Sequence, residues 1–380
     1  MHLGSLRLAG TPCRDRGTPD RLRAIPSPIA RAKVLAAVAE RLPTAQLAVR
    51  DVASPARPAS YEALVRVVAC GICGTDLHIL AGDSYRPVLP FVLGHEPVGI
   101  VEALGDGSRA GVAVGDRVAM TIFEGCGTCS LCSVGDQRLC PDLRSIVGVT
   151  GRSGGFAELL LVPTEQLVPV PAGLGPVSAA GLVDAGATAA NSVRQAGTDD
   201  VAEVVVVGGG PVGFLVAELL RLRDINALVV EPNDVRRSAL VAVGHRTAAA
   251  LADVQTSPTT IFECSGASGV AAWAAARLRA HGRLFLIGYR LEPTVDFSIF
   301  SRKELRVLGV RSGRREDLET VLILAAGGDI HVPAPRVWPL REINEALAEL
   351  RRGQVPGKAV IRSQYSAKAP DEEEANEWIP

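Results

Sequence analysis

The sequence has few aromatic residues, no excess of either charge and no long apolar run. Aromatic residues make up 4% of the 380 residues, which disfavours a large aromatic pocket. The formal net charge of −1 gives no electrostatic reason to expect binding to nucleic acid or to a membrane surface. No apolar run approaches the roughly 20 residues that cross a bilayer. We therefore predict a small-molecule partner, with no nucleic acid and no membrane.

The eight cysteines are clustered rather than spread along the chain. Four of them lie between Cys126 and Cys140. In a large chain without a secretory signal, such clustering is typical of metal binding in a reducing compartment. A hydrophobic fraction of 47% fits a globular protein, and the length suggests about two domains. These features predict a cytoplasmic, metal-binding protein.

The two ends of the chain differ from the rest. Residues 1–30 are rich in arginine and proline without apolar periodicity, which predicts a disordered extension. Residues 366–380 are rich in acids and predict a solvated acidic tail.

The stretch from Cys70 to Gly99, CGICGTDLHILAGDSYRPVLPFVLGHEPVG, carries a candidate metal site. Cys73 offers a thiolate and His95 an imidazole, and zinc binds both ligand types while a catalytic zinc keeps one position open. From these residues alone, a packed cysteine and a hydrogen-bonded core histidine are an equally good interpretation.

A second candidate metal site follows at residues 124–140. Cys126, Cys129, Cys132 and Cys140 are spaced C-x2-C-x2-C-x7-C. Four thiolates close a tetrahedral shell and leave no open position, so the pattern predicts a structural zinc ion. An iron–sulfur run begins in the same way but continues x3-C-P, and the longer last gap favours zinc.

A glycine-rich turn lies between an apolar strand, VVVV, and a predicted helix, FLVAELLRLR. Gly208, Gly210 and Gly213 form G-x-G-x-x-G in the strand–turn–helix context of dinucleotide binding. The first glycine permits the turn, the second admits a pyrophosphate and the third lets the helix pack on the strand. Pro211 and Val212 complete the predicted cofactor-binding turn at the helix N-terminus.

The next predicted strand, ALVVE, ends in Glu231, 18 residues beyond Gly213. That spacing matches the carboxylate that hydrogen-bonds the ribose of NAD, and the same carboxylate would repel the 2′-phosphate of NADP. NADP remains an alternative cofactor, because the side chain of Arg236 or of Arg237 could reach such a phosphate. We predict NAD as the cofactor and Arg236 as a further cofactor contact.

The remaining chain follows two patterns. Short apolar runs with Gly and Pro turns dominate before residue 171 and predict a β-rich domain. Residues 176–197 are rich in alanine and predict one helix. Apolar strands then alternate with helices to about residue 313, as a doubly wound parallel sheet requires, and KAVIR predicts a closing strand.

Taken together, these motifs resemble the zinc-containing medium-chain alcohol dehydrogenase superfamily. The matching elements are C-G-T-D-L-H from Cys73, G-H-E-x-x-G from Gly94, G-D-R-V from Gly115, the four cysteines, the glycine turn and PLREINEAL…GKAVI. The resemblance covers residues 31–363. It implies a GroES-like β-rich catalytic domain at 31–184 and 314–365, a Rossmann NAD(P)-binding domain at 185–313 and an active site in the cleft between them.

The resemblance also assigns the metal ligands. It implies that Cys73 and His95 bind a catalytic zinc ion and that Asp184 is the third ligand. Before an Ala-rich helix, an aspartate is otherwise most often an N-cap. Glu96 is implied to lie beside the metal and to bind it transiently, and Asp76 to orient His95. With the four-cysteine site, this predicts two zinc ions per chain.

The implied reaction is hydride transfer from an alcohol to NAD. Zinc lowers the pKa of the substrate hydroxyl, Thr75 takes its proton, and His78 passes a proton to solvent. By family position Ile287, Gly288 and Tyr289 contact the nicotinamide, although a plain strand-end role is equally good.

The substrate class is inferred from the ligand types. A Cys/His/acid site is similar to those of polyol, sugar, butanediol and threonine dehydrogenases. We therefore predict a secondary alcohol of the polyol, sugar, cyclitol or amino alcohol type, giving the ketone, and a homodimer or homotetramer. Two alternatives stay open: an NADP-linked reductase of simple alcohols and aldehydes, and a non-catalytic zinc- and nucleotide-binding protein. A nucleic-acid-binding zinc ribbon is disfavoured, because charge around the cysteines is balanced.

Overall fold

The computed structural model describes residues 32–108, 111–197, 203–288 and 296–363. The predicted extension at 1–30, the predicted tail at 366–380 and Tyr289 lie outside the described residues.

The first part of the described chain is rich in short strands. Its strands are β1 Lys33–Ala39, β2 Ala48–Ala53, β3 Glu62–Ile72, β4 Phe91–Val92, β5 Glu96–Leu104, β6 Arg117–Met120, β7 Phe123–Glu124, β8 Ser145–Val147, β9 Gly151–Arg152, β10 Leu159–Pro163 and β11 Leu167–Pro169. Two helices interrupt them, α1 Gly74–Ala81 and α2 Ser130–Ser133.

These strands form one large sheet and two small ones. The large sheet has β3 at its centre, paired antiparallel with β5 and β10. The small sheets have the orders β2-β1-β4 and β7-β8-β9. Strand β3 is buried along almost its whole length because it is covered on both faces.

Residues 176–197 form two helices rather than the single helix predicted. Helix α3 spans Pro176–Ala180 and helix α4 spans Ala185–Ala196, with a turn between them. Glycine is a poor helix former, and the turn begins at Gly181. The turn also buries the side chains of Leu182 and Val183. It therefore sets Asp184 at the start of α4.

The next part of the chain forms a six-stranded parallel sheet. Its elements are β12 Val204–Val207, α5 Pro211–Arg221, β13 Leu228–Val230, α6 Asp234–Ala242, β14 Arg246–Ala248, β15 Thr260–Glu263, α7 Val270–Arg277, β16 Arg283–Leu286, α8 Ser298–Lys303 and β17 Arg306–Gly309. The strand order is β14-β13-β12-β15-β16-β17. Every residue of β12 is buried, as expected of a strand covered by helices on both faces.

The last part of the chain returns to the first sheet. It contains α9 Arg315–Ala326, β18 Pro335–Pro339, α10 Ile343–Arg351 and β19 Lys358–Arg362. Strand β19, the predicted closing strand, pairs antiparallel with β3 and parallel with β18. The register places Ile361 opposite Cys70, so the C-terminal segment lies beside the Cys70–Gly99 stretch.

The predicted fold class is confirmed by this arrangement of an antiparallel β-rich part and a parallel doubly wound sheet. None of the described helices combines the length and the apolar character needed to span a membrane.

A buried carboxylate, Glu218 on α5, ties three segments of the fold together. Its oxygens lie 2.7 Å from His245 Nε2 and 3.0 Å from His331 Nδ1, and one accepts the backbone N–H of His331. Arg221 pairs with it at 3.1 Å. Burial acts to raise the pKa of Glu218, but the bonds from His245, Arg221 and His331 outweigh it and lower the pKa to about 2.

We expect replacement of Glu218 by glutamine to reduce stability at neutral pH. A depressed folded-state pKa contributes stability above the unfolded value of 4.5, and that contribution is lost as pH falls towards 2. The shift corresponds to about 3 kcal/mol as an upper estimate. Thermal unfolding of wild type and Glu218→Gln should therefore differ by several degrees at pH 7, and the difference should shrink steadily as pH falls from 4.5 towards 2.

The matched control is Glu319→Gln, which removes an exposed pair with Arg315 at 2.7 Å. We expect that change to cost under about 0.5 kcal/mol. Equal melting temperatures for Glu218→Gln and wild type at pH 7 would contradict the role assigned to this carboxylate.

Candidate active site

Four side chains from three separate segments converge on one point at the edge of the large sheet. One ligand-type atom from each of Cys73, His95, Glu96 and Asp184 lies within 4.8 Å of every other. Cys73 precedes α1, His95 and Glu96 stand at the start of β5, and Asp184 precedes α4. The structure thus brings together all four residues predicted for the catalytic metal.

Helix α1 positions Cys73. The backbone N–H of Cys73 donates to Asp76 Oδ2 at 2.9 Å, which caps the first turn of the helix. The other carboxylate oxygen of Asp76 lies 3.4 Å from His95 Nδ1. The completely buried carboxylate of Asp76 thus caps the thiol-bearing turn with one oxygen and lies beside the imidazole ring with the other.

His95 is buried with both ring nitrogens unsatisfied. Only 1% of the residue is exposed, and neither Nδ1 nor Nε2 forms a hydrogen bond with any residue that the structure describes. Burial alone lowers the pKa of His95, but the carboxylates of Asp76 and Asp184 outweigh it and raise the pKa well above its usual value. A buried imidazole without a partner is costly, so this site has the chemistry of a ligand shell.

Asp184 does not act as the N-cap that its position suggested. Its side chain makes no capping hydrogen bond to α4. Instead Oδ1 accepts a hydrogen bond from Ser312 Oγ at 2.8 Å, and Oδ2 lies 3.7 Å from His95 Nε2. Burial acts to raise the pKa of Asp184, whereas His95 and Ser312 lower it below its usual value. The carboxylate is therefore turned towards the cluster.

Glu96 is held by a lysine that sequence reasoning did not identify. Lys358 Nζ on β19 lies 2.6 Å from Glu96 Oε1, and both side chains are almost completely buried. Burial acts to lower the pKa of Lys358, but Glu96 and Cys73 raise it above its usual value. Burial raises the pKa of Glu96 in spite of Lys358. The pair restrains Glu96 at the edge of the cluster.

A cavity of about 400 Å³ opens from this cluster. Thr75 and His78 both line it, and Thr75 Oγ1 lies 3.7 Å from Cys73 Sγ. The side chain of His78 is 42% exposed, with Nδ1 3.1 Å from Asp83 Oδ1. The predicted proton-transfer residues therefore run from the cluster towards the solvent.

The same cavity reaches the predicted dinucleotide turn. Gly210, Pro211 and Val212 line it at the N-terminus of α5. Gly208 adopts a φ of +95°, and a Cβ on Gly213 would lie 1.8 Å from the Gly208 carbonyl oxygen. A Cβ on Gly210 would meet no atom within 4 Å, so that side of the turn is open. Ile287 and Gly288 lie on the same wall.

Glu231 is more constrained than the sequence suggested. Its oxygens accept hydrogen bonds from the backbone N–H groups of Gly209 and Asn233, both at 2.8 Å, and from Arg236 Nη2 at 2.9 Å. A carboxylate has further acceptor positions, so the ribose contact stays a prediction. Arg236 lines the cavity and is paired with Glu231.

The four cysteines of the second candidate site also meet. Their sulfur atoms all lie within 4.8 Å of one another, with Cys126 and Cys132 4.0 Å apart and Cys129 and Cys140 3.8 Å apart. Hydrogen bonds from the hydroxyl and backbone of Thr128 lower the pKa of Cys126 to about 6. The group has the chemistry of a closed four-thiolate shell.

A buried arginine joins this lobe to the first cluster. Arg138 pairs with Asp136 at 2.8 Å and donates to the carbonyl oxygens of Arg311 and Ser312. Ser312 in turn bonds Asp184. Sequence reasoning missed these residues because no local motif marks a contact between positions 173 residues apart.

The chain is similar to known proteins over most of its length. Family models described as "Alcohol dehydrogenase GroES-like domain" and "Zinc-binding dehydrogenase" match residues 59–172 and 242–361. An alcohol dehydrogenase of Geobacillus stearothermophilus is 30% identical over 341 residues, covering 83% of this chain and 96% of the relative. The 2-dehydro-3-deoxy-L-galactonate 5-dehydrogenase of Pseudoalteromonas atlantica is 30% identical over 318 residues, covering 80% and 92%.

A solved structure shows the same fold. The alcohol dehydrogenase of Aeropyrum pernix superposes with a TM-score of 0.80 at 26% identity, covering 86% of this chain and 99% of the other. The predicted family, fold class and enzyme class are confirmed. The chain therefore belongs to the zinc-containing medium-chain alcohol dehydrogenase superfamily and is an NAD(P)-linked oxidoreductase of the alcohol dehydrogenase type.

Proposed function

We propose that the protein oxidises a secondary alcohol with a neighbouring hydroxyl or amino group to the ketone, at a zinc ion held by Cys73, His95 and Asp184. The observation that carries this proposal is the buried imidazole of His95, whose two nitrogens lack hydrogen-bond partners beside a thiol and two carboxylates. A thiolate, an imidazole and a carboxylate are a ligand set that zinc accepts. This match between the side chains present and the ligands that zinc accepts supports a metal at this position.

The substrate class follows from the same donor set and from the relatives. A Cys/His/Asp ligand set resembles that of polyol and sugar dehydrogenases. The names of two relatives refer to sorbitol and to a galactonate derivative.

Individual residues of the protein account for the steps of the reaction. When bound, zinc supplies the Lewis acidity that lowers the pKa of the substrate hydroxyl. Thr75 would accept the hydroxyl proton as its own hydroxyl proton passes by way of the cofactor ribose to the exposed His78, which releases a proton to water.

NAD is the proposed hydride acceptor. The buried Glu231 places a negative charge at the end of β13, where a 2′-phosphate would be repelled. Arg236 is already paired with this carboxylate at 2.9 Å, which reduces its capacity to bind a phosphate. The N-terminus of α5 at Gly210 receives the pyrophosphate. The products are the ketone, NADH and a proton.

We also propose the number of zinc ions, the cellular location and the oligomeric state that the sequence predicts. The four-cysteine site holds a second, structural zinc ion, so each chain binds two. We propose a cytoplasmic location, because clustered cysteines are typical of metal binding in a reducing compartment. We also propose a homodimer or homotetramer, which light scattering after size-exclusion chromatography tests.

An oxidation screen tests the proposed function. We expect reduced cofactor to form from NAD+ with polyols, cyclitols, sugars or amino alcohols, with kcat/KM at least about 10-fold higher than with NADP+. Preference for NADP+ with simple alcohols would support the alternative reductase. Turnover of no alcohol with either cofactor, together with metal bound only at the four cysteines, would contradict the proposal.

A further inference from the structure

The candidate cavity contains one cation that differs from the others. Among its described lining residues, the lysine and arginines are Arg236, Arg311 and Lys358. Lys358 lies 2.6 Å from the carboxylate of Glu96, and Arg236 lies 2.9 Å from that of Glu231. Within the described part of the chain, Arg311 has no carboxylate within ion-pair distance. A full positive charge therefore faces the cavity with no negative partner among the described side chains.

The guanidinium of Arg311 is held in a fixed place. Its Nη1 donates to the carbonyl oxygen of Arg138 at 2.7 Å, and its Nη2 lies 3.4 Å from the hydroxyl of Tyr85. The guanidinium carbon is 4.8 Å from the ring centroid of Phe123, over its face. A guanidinium has five N–H donors, so these contacts leave donors for a ligand.

The backbone beneath Arg311 is fixed as well. The buried Arg138 donates to the carbonyl oxygens of residues Arg311 and Ser312. The hydroxyl of Ser312 donates to Asp184 Oδ1 at 2.8 Å. Arg311 is thus the direct neighbour of a residue that contacts a proposed metal ligand. A group bound by Arg311 lies in the same cavity as the reacting carbon.

We propose that the substrate is an acidic polyol, a polyhydroxy carboxylate of the aldonate type, and that Arg311 binds its carboxylate. This inference rests on the proposed function, because it names the substrate class of the same site. Arginine is suited to a carboxylate, since its planar fork donates two parallel hydrogen bonds. The oxidised hydroxyl lies on another carbon, which gives up hydride to NAD+ and becomes the ketone, while the carboxylate is unchanged.

Two other roles for Arg311 fit the contacts less well. A purely structural role accounts for the bond to Arg138 and the contact with the Phe123 ring, but it leaves the charge with no carboxylate among the described residues and leaves N–H donors unused. A cofactor pyrophosphate has its own site at the N-terminus of α5, next to Arg236 rather than Arg311.

The test compares C5 and C6 aldonates with the matching alditols in the full-length, metal-loaded enzyme with NAD+. We expect wild type to favour aldonates by at least about 10-fold in kcat/KM. In Arg311→Gln the aldonate-to-alditol ratio of kcat/KM should fall about 10- to 100-fold, mostly through KM, and Arg311→Lys should keep part of it. The exposed Arg302, which is not a lining residue of the cavity, provides the control variant Arg302→Gln, for which we expect an unchanged ratio.

Three results would overturn the proposal: an unchanged ratio in Arg311→Gln, a wild-type preference for alditols, or a weaker Kd for NADH as the main effect of the substitution. Failure of the proposed function is a separate outcome, seen as no turnover of neutral or acidic alcohols. In that case the ligand-induced change in Tm still tests whether Arg311 binds a carboxylate. An aldonate with NADH should raise the Tm of wild type but not of Arg311→Gln, and equal protection of both would refute carboxylate binding.

Discussion

Substitution of Cys73 by serine should reduce alcohol oxidation by about 10³-fold or more. Serine keeps the size of the side chain but replaces a thiolate ligand by a hydroxyl, which binds zinc poorly. The remaining groups, His95 and the carboxylates of Asp184 and Glu96, then lack the thiolate that completes the set. The measurement is kcat/KM for the best substrate of the screen, with enzyme concentration corrected for folded protein.

The matched control for this prediction is Cys70→Ala. Cys70 is a fully buried cysteine of β3 that lies beside the cluster but is not one of its four members, and its thiol donates to the Gly71 carbonyl oxygen at 3.6 Å. We expect its kcat/KM to stay within about threefold of wild type. Loss of activity in both variants would point to disturbed packing, and full activity in Cys73→Ser would refute a catalytic role for this thiol.

The second large effect concerns the buried ion pair between Lys358 and Glu96. The side chains of the pair are 3% and 0% exposed, so removal of the lysine leaves a carboxylate uncompensated in the interior. We expect Lys358→Met to lower the free energy of unfolding by about 3–5 kcal/mol. The double variant Lys358→Met/Glu96→Gln should recover at least half of that loss, because the buried charge is gone. The measurement is urea-induced unfolding of both variants and wild type.

An exposed pair provides the control. Arg50 and Glu40 lie 3.0 Å apart with side chains 44% and 55% exposed, and we expect Arg50→Met to cost under about 1 kcal/mol. If Lys358→Met costs no more than Arg50→Met, or if the double variant is less stable than the single one, the buried pair does not have the role described here.

The fold could be predicted from the sequence because its signals are local. The glycine turn, the apolar strands and the Ala-rich helices each act over a few residues, and their order along the chain implies the parallel sheet. The prediction of a single helix at 176–197 was wrong because it used local signals alone. The break at residues 181–184 depends on burial of Leu182 and Val183 in the tertiary core, which periodicity does not report.

The candidate site was only partly predictable. Cys73 and His95 stand in recognisable local motifs, and Asp184 followed from family position alone. Lys358 was missed although its motif was noted, because its partner Glu96 is 262 residues away in the chain. Arg311 carries no local signal, since only the packing of residues 123, 138 and 311 around the cavity gives it significance. Long-range pairs of this kind are set by tertiary structure.

The measurement that tests the central claim most directly is the zinc content of the purified chain by elemental analysis. Wild type and Cys73→Ser are compared after equal dialysis. We predict two zinc ions per chain in wild type and one in Cys73→Ser, with the four-cysteine site retaining its ion and activity lost in parallel. Two zinc ions per chain in Cys73→Ser together with undiminished turnover would contradict a catalytic zinc held by Cys73, His95 and Asp184.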